Sequence, residues 1–363
     1  MIVYLKILAA AMGLLKMTGP FKGECKVIAT TADGDQVFID LPVNAETKSK
    51  SVLSLFWDSR KSHAIVQADG VQENSSIVRC RVLRQLTDNI PEVGTPVSLS
   101  GWLGSTPEHF GYAHRYHNVT LPNGTTGWLF PNSGDKWVIH VHGRRAMMGE
   151  TLRNLEQFES LGFNQLTISM STDPKPYGLG VKVSRLGQTE WTEIEDAVRF
   201  ANSAGAKDIL IFGWSQGSLI SSQFLINSSE TDLVSGAIFD SPLLDYRSTM
   251  RFQAQRGGYD PVLGDRVIDV IKNSKALGLF GYKNVDVDEI SLVKEKKLPA
   301  IPVLVLYSMN DGHVAIADVH KFAEVNPGVT LYEIPEARHC RLYNEDKNSY
   351  QAAISSWLLE NRI

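Results

Sequence analysis

The feature that most constrains this chain is a change of period near its middle. Ile209-Leu210-Ile211-Phe212 is an unbroken apolar run, as expected of a strand buried on both faces. Gly213-Trp214-Ser215-Gln216-Gly217 follows at once, and residues 216–226 then read as a helix. A strand that becomes a helix within three residues must turn sharply. Glycines two places either side of a serine keep side chains out of that crossing. The hydroxyl then stands at the carboxyl end of the strand, over a helix N-terminus whose dipole favours developing negative charge. An ordinary turn serine leaves the paired glycines unexplained.

The surroundings of this corner repeat one rhythm. Residues 136–141, 165–170, 208–212, 234–239, 302–307 and 330–334 read as strands. Residues 150–161, 189–204, 216–226, 314–325 and 346–359 read as helices; on the second of these, Trp191, Ile194, Val198 and Ala201 share one face. Alternation of this kind predicts a mostly parallel sheet with right-handed crossovers, flanked by helices. A hairpin over 116–121 and 126–130, turned at Pro122-Asn123-Gly124, belongs at one edge. Residues 243–299 break the rhythm, with helix-like pieces only at 266–272 and 288–294. An insertion this long at the serine's end of the sheet reads as a helical lid. Its Met250, Phe252, Tyr259, Val262, Leu277, Leu279, Phe280 and Tyr282 are expected to wall an apolar acyl pocket, although such residues also serve simple packing.

Before this region, residues 24–105 read as a small β-rich domain of unknown role. Strands are expected at 25–29, 36–40, 51–57, 63–67, 77–83 and 95–99, with a hairpin across Ala32-Asp33-Gly34-Asp35. The catalytic region is then 106–363. Residues 1–23 form an apolar N-terminal segment. Its first 17 residues carry Lys6 and Lys16 and are too short for a span, so they read as a docking helix, with a membrane-surface anchor as the alternative. The expected localisation is cytoplasmic, or membrane-associated through that segment. A net charge of −4 with no basic run argues against a nucleic-acid partner. Cys25, Cys80 and Cys340 are too few for a disulfide framework and read as reduced thiols, with a Cys25–Cys80 bridge as the alternative.

A serine hydroxyl needs a base, and the base an orienting carboxylate. On a sheet of this kind they follow the serine in the order acid, histidine, each after a strand. Asp311 follows the strand at 302–307, and His339 follows the one at 330–334. The rival acid is Asp240, in Phe239-Asp240-Ser241-Pro242, and the rival base is His313, which lies on the loop of Asp311 itself. An oxyanion is expected to be met by the backbone N–H of Gln216 and by that of Arg144, after the strand ending at Val141. The Arg144 and Arg145 side chains read as solvated charges, or as partners for an acidic substrate group.

His140-Val141-His142-Gly143-Arg144, Leu186-Gly187-Gln188-Thr189-Glu190-Trp191, the Ser215 pentapeptide and Phe239-Asp240-Ser241-Pro242 together resemble the α/β-hydrolase superfamily. Within it they look like uncharacterised actinobacterial serine hydrolases, near the Bem46-like and serine-aminopeptidase-like branches. The resemblance implies an α/β-hydrolase fold, a serine esterase triad and a small-molecule acyl substrate. It also implies no metal and no organic cofactor. It leaves open an amide, peptide or thioester substrate on the same triad, and a non-catalytic binding protein that kept the fold. Arg145, where such proteins often carry a small residue, and Ser218, where many carry glycine, depart from the pattern.

Overall fold

The structure is a computed structural model that describes residues 2–17, 23–44, 46–71, 75–295 and 298–363. The outermost parts of the N-terminal segment (residues 1 and 18–22) and residues 296–297 of the insertion lie outside the described residues.

Eight strands form the central sheet: β8 (His117–Thr120), β9 (Thr126–Phe130), β10 (Lys136–Val141), β11 (Asn164–Ile168), β12 (Asp208–Trp214), β13 (Val234–Asp240), β14 (Val303–Tyr307) and β15 (Val329–Glu333). Their order is β15-β14-β13-β12-β10-β11-β9-β8, parallel from β15 to β11 and antiparallel at the β9–β8 edge. The chain steps outward from β10 to β11 and then returns to the other side of β10 as β12. The loops after β10 and β12 therefore leave the sheet in opposite directions and open a crevice at their carboxyl ends. The central strands are buried on both faces, which is why they read as unbroken apolar runs.

Helices α2 (Leu155–Ser160), α3 (Trp191–Ser203), α4 (Gln216–Asn227), α8 (Ala317–Val325), α9 (Leu342–Glu345) and α10 (Lys347–Asn361) accompany this sheet. One core holds Ile139, Ile211, Phe239 and Val305 with Ile194, Leu219 and Phe322; another holds Val138, Phe212 and Leu304 with Phe158, Tyr350 and Trp357. The helix expected at 150–161 is in its first half a 3-10 segment, Met148–Asn154, in which every residue is buried.

The insertion contains α5 (Tyr246–Arg256), α6 (Val262–Asn273) and α7 (Lys275–Leu279). Helix α5 was not expected. Its start is signalled by Asp245, whose carboxylate accepts from Ser248 N–H at 2.7 Å. Residues 288–294, expected as helix, are turns instead. Asp288 is tied to Arg247 at 3.0 Å and to Lys272 at 2.5 Å, while Ile290 and Leu292 are pulled into the core. Those contacts outweigh the helical spacing.

The N-terminal helix α1 (Ile2–Leu15) buries Ile7, Leu8, Ala11 and Leu15, a stripe at helical spacing, and packs against α6. Among the described residues no helix is long and apolar enough to cross a membrane.

Seven antiparallel strands make the second sheet: β1 (Cys25–Lys26), β2 (Ala29–Asp33), β3 (Gln36–Pro42), β4 (Val52–Trp57), β5 (Ser62–Val71), β6 (Ile77–Gln85) and β7 (Pro96–Ser100), in the order β1-β7-β4-β5-β6-β3-β2. One continuous stretch supplies both edges, because Val27 N–H donates to Thr95 O and the next residue, Ile28, donates to Asp40 O. The sheet thus closes on itself around Val27, Ile39, Leu55, Trp57, Val66, Val78 and Leu99. Cys25, Cys80 and Cys340 are free thiols.

Candidate active site

The corner after β12 is built by exclusion. A Cβ on Gly213 would stand 2.7 Å from Ser218 Cα, and one on Gly217 would collide with the carbonyl oxygens of Val141 and His142. Only glycine lets strand, helix and neighbouring strand approach this closely. Ser215, between them, has φ 50° and ψ −115°, a strained backbone for a residue with a side chain. It is held from both sides: its N–H donates to Asp240 O at 2.9 Å, and its carbonyl accepts from Ser218 and Leu243 N–H, both at 3.1 Å. Ser218, which replaces a glycine common in the pattern, donates its hydroxyl to Gly213 O at 2.8 Å and so reinforces the turn.

Three elements converge on this corner. Ser215 Oγ lies 2.9 Å from His339 Nε2, and His339 Nδ1 lies 2.7 Å from Asp311 Oδ2. The other Asp311 oxygen accepts from the backbone N–H groups of His313 at 2.7 Å and Val314 at 3.1 Å. With the carboxylate fixed, Nδ1 of His339 carries the proton and Nε2 accepts from the serine. Burial pushes Asp311 up, but His339 and the two N–H groups outweigh it and hold the carboxyl below its ordinary value. Burial pushes His339 down, but the Asp311 carboxylate outweighs it and holds the imidazole well above its ordinary value.

Among the described residues, neither rival's side chain joins this hydrogen-bonded chain. Asp240 is fully buried and accepts from Ser241 Oγ at 2.8 Å and Tyr350 Oη at 2.9 Å, so its partners are hydroxyl groups. His313 stacks on His339, with ring centroids 4.9 Å apart, while its backbone N–H donates to Asp311 Oδ1.

After β10, Ala146 N–H closes a turn onto Gly143 O at 3.2 Å, with Arg145 at φ 56°. A Cβ on Gly143 would come within 3.2 Å of Ser215 Cβ, so the loop passes directly beside the serine. Gly143 N–H is taken by Glu150 Oε2 at 2.7 Å. The N–H groups of Arg144 and Gln216 have no acceptor among the described residues. Arg145 is exposed, as expected of a solvated charge, whereas Arg144 is half-buried; both are tied to the end of α1. Arg144 donates to the carbonyls of Gly13, Leu14 and Lys16, and Arg145 to Gly13 O at 3.1 Å and Lys16 O at 2.6 Å. The two cations cap the negative end of α1 and tie it to this loop.

The sequence reading missed the support of this loop. His142 is buried: Nδ1 is 2.9 Å from Gly143 O and Nε2 is 2.8 Å from Asp173 Oδ2. Both nitrogens face acceptors, so both carry protons and the ring is a buried cation. Burial alone would push its pKa down; Asp173 outweighs this and lifts it to about 9. A pKa above the unfolded value of about 6.5 stabilises the fold fully below that pH, and the contribution is lost as pH rises toward 9. Unfolding free energy is expected to fall by on the order of 3 kcal/mol across that window. His142→Gln should flatten the slope in denaturant titrations. Parallel slopes in both proteins would show that the ring is neutral. No sequence signal names Asp173, because its pairing with His142 spans 31 positions.

Helix α5 reaches the site at both ends. Tyr246 Oη accepts from Gln216 Nε2 at 2.7 Å, and Gln253 Nε2 donates to His313 O at 2.7 Å. The eight apolar residues expected to wall a pocket divide differently. Leu277 is buried in the core, Met250 and Tyr282 pack against it, and Tyr259, Val262, Leu279 and Phe280 are exposed. Only Met250 and Phe252 lie on α5.

No protein-family model matches the sequence, and no curated protein is significantly similar to it. Solved structures do resemble it. An esterase of Pyrococcus furiosus superposes with a TM-score of 0.53 at 20% identity, over 71% of this chain and 94% of the esterase. Mouse alpha/beta hydrolase domain-containing protein 10 superposes at 0.50 with 14% identity, over 68% of this chain and 98% of its own. The α/β hydrolase GrgF of a Penicillium species gives 0.50 at 15% identity, over 68% and 98%. Strand order, crossovers and these likenesses agree that the chain has the α/β-hydrolase fold.

Proposed function

We propose that this protein is a serine hydrolase that cleaves a carboxylic ester through an acyl-Ser215 intermediate. One observation carries the reading: Ser215 Oγ, His339 and Asp311 form a continuous hydrogen-bonded chain, with the serine on a strained corner at a helix N-terminus. In the proposed cycle Ser215 Oγ attacks the ester carbonyl carbon while His339 Nε2 takes its proton. The tetrahedral oxyanion is met by the free N–H groups of Gln216 and Arg144. The carbon–oxygen bond to the alcohol then breaks, and His339 returns the proton to the leaving oxygen. Water attacks the acyl-enzyme by the same steps in reverse roles, releasing acid and free serine. Asp311 keeps the imidazole in the tautomer that accepts from serine. An ester is the assigned class because an alcohol oxygen leaves with less help from the acid than an amine does.

Helix α5 is proposed as the lid proper, since it bridges Gln216 and the Asp311 loop. Labelling with a fluorophosphonate probe tests the reading. The probe is expected to add to Ser215, as located by peptide mass mapping, and to abolish hydrolysis of p-nitrophenyl butyrate in step. Label on another residue, or none, would leave a fold without this chemistry.

A further inference from the structure

The loop that carries His339 is an unlikely shape for its sequence. Glu336 has φ 62° and Cys340 has φ 54°, so left-handed residues stand on both sides of the histidine with no glycine to ease them. Such a loop persists only where its surroundings over-determine it. Part of the hold comes from the catalytic layer: Cys340 N–H donates to Ser241 Oγ at 3.0 Å, and Asn310 Nδ2 donates to Glu336 O at 3.1 Å.

A further part comes from the N-terminal closed sheet. Glu46, in the connection between β3 and β4, puts one carboxylate oxygen 2.9 Å from an Arg338 nitrogen and the other 2.7 Å from an Arg341 nitrogen. The first contact is an aligned hydrogen bond, the second an ion pair without that alignment. Arg341 also donates to Leu99 O, on β7, at 2.9 Å. Glu46 thus spans the residue before the base and the residue two after it. It is not a free surface charge: its side chain is 22% exposed, and its backbone is fixed where the N–H groups of Glu46 and Thr47 meet Asn44 Oδ1 at 2.8 and 2.9 Å. Burial pushes its carboxyl up, but Arg341 and Arg338 outweigh that and hold it ionised, below its ordinary value.

We infer that Glu46 is a positioning residue for the reaction proposed above, and that the N-terminal sheet is thereby a working part of the active site. Its clamp on Arg338 and Arg341 sets the height and angle of the His339 ring between Ser215 and Asp311. A purely structural tie between two layers would affect stability alone. A positioning clamp affects turnover, since small displacements of a reacting group cost rate out of proportion to their size.

The full-length chain is compared with Glu46→Gln, which keeps the shape and removes the charge, and with Glu46→Asp, which keeps the charge and shortens the reach. With p-nitrophenyl butyrate, Glu46→Gln is expected to lower kcat by about ten- to a hundredfold with KM nearly unchanged, and Glu46→Asp to fall between it and wild type. In proton NMR the His339 Nδ1–H signal, shifted downfield by its bond to Asp311, is expected to move or broaden in the same order. Wild-type kcat and an unmoved signal in both variants would overturn the inference, even if both melt at lower temperature. Should Glu46→Gln fail to fold, Glu46→Asp decides by the same two readings. Should the unmodified protein take no fluorophosphonate label, the hydrolase reading fails by itself. The Nδ1–H signal needs no turnover and still decides the role of Glu46.

Discussion

Ser215→Ala is expected to lower kcat for p-nitrophenyl butyrate by about a millionfold, the loss typical when a serine nucleophile is removed. The melting temperature should stay near that of the unmodified protein. Alanine meets the same strain as serine at φ 50°, and the backbone bonds to Asp240, Ser218 and Leu243 do not involve the side chain. Among the described residues, the hydroxyl partner lost is His339 Nε2. Residual activity should remain above the uncatalysed rate, because the proposed Gln216 and Arg144 N–H donors would still meet the oxyanion, worth on the order of a thousandfold in related catalysis. Substantial turnover by the alanine variant would mean that another nucleophile acts, and the hydrolase reading would lose its centre.

Asp311→Asn is expected to cost about ten-thousandfold in kcat. Asparagine can donate toward Nδ1, which forces the imidazole proton onto Nε2 and denies the serine its base. Two measurements separate this from general damage. First, kcat/KM of the unmodified protein should rise with pH through an apparent pKa above 6.5, since in the proposed cycle His339 acts when neutral and Asp311 holds its proton on. Removing the carboxylate should bring that midpoint down, so the residual activity of the variant rises at lower pH. Second, Asp240→Asn should cost stability, because Asp240 is fully buried against Ser241 and Tyr350, while kcat changes by less than about tenfold. If the two substitutions exchanged effects, the acid would lie after β13 and the Asp311 loop would be scaffold.

Much of this arrangement is local, and what is local was legible. The apolar runs at β10, β12, β13 and β14 announce doubly buried strands, and the helical spacing of Trp191, Ile194 and Val198 announces α3. The insertion is less legible. Helix α5 carries a polar sequence whose cap is its clearest sign, and 288–294 follows a helical period that its tertiary contacts overrule.

By itself, the sequence determined the doubly buried central strands, the amphipathic helix α3 and the corner at Ser215. These follow from short-range sterics: a period of two or 3.6, and a turn too tight for any Cβ at Gly213 or Gly217. Only the tertiary structure decided what meets across distance. It closed the N-terminal sheet through Val27 and Ile28, turned His142 inward onto Asp173, spent Arg144 and Arg145 on the carbonyls of α1, and set Glu46 between Arg338 and Arg341. Each of these is a charge or a backbone group finding a partner far away in sequence. Burial makes such a partner obligatory, and no spacing along the chain says which one it will be.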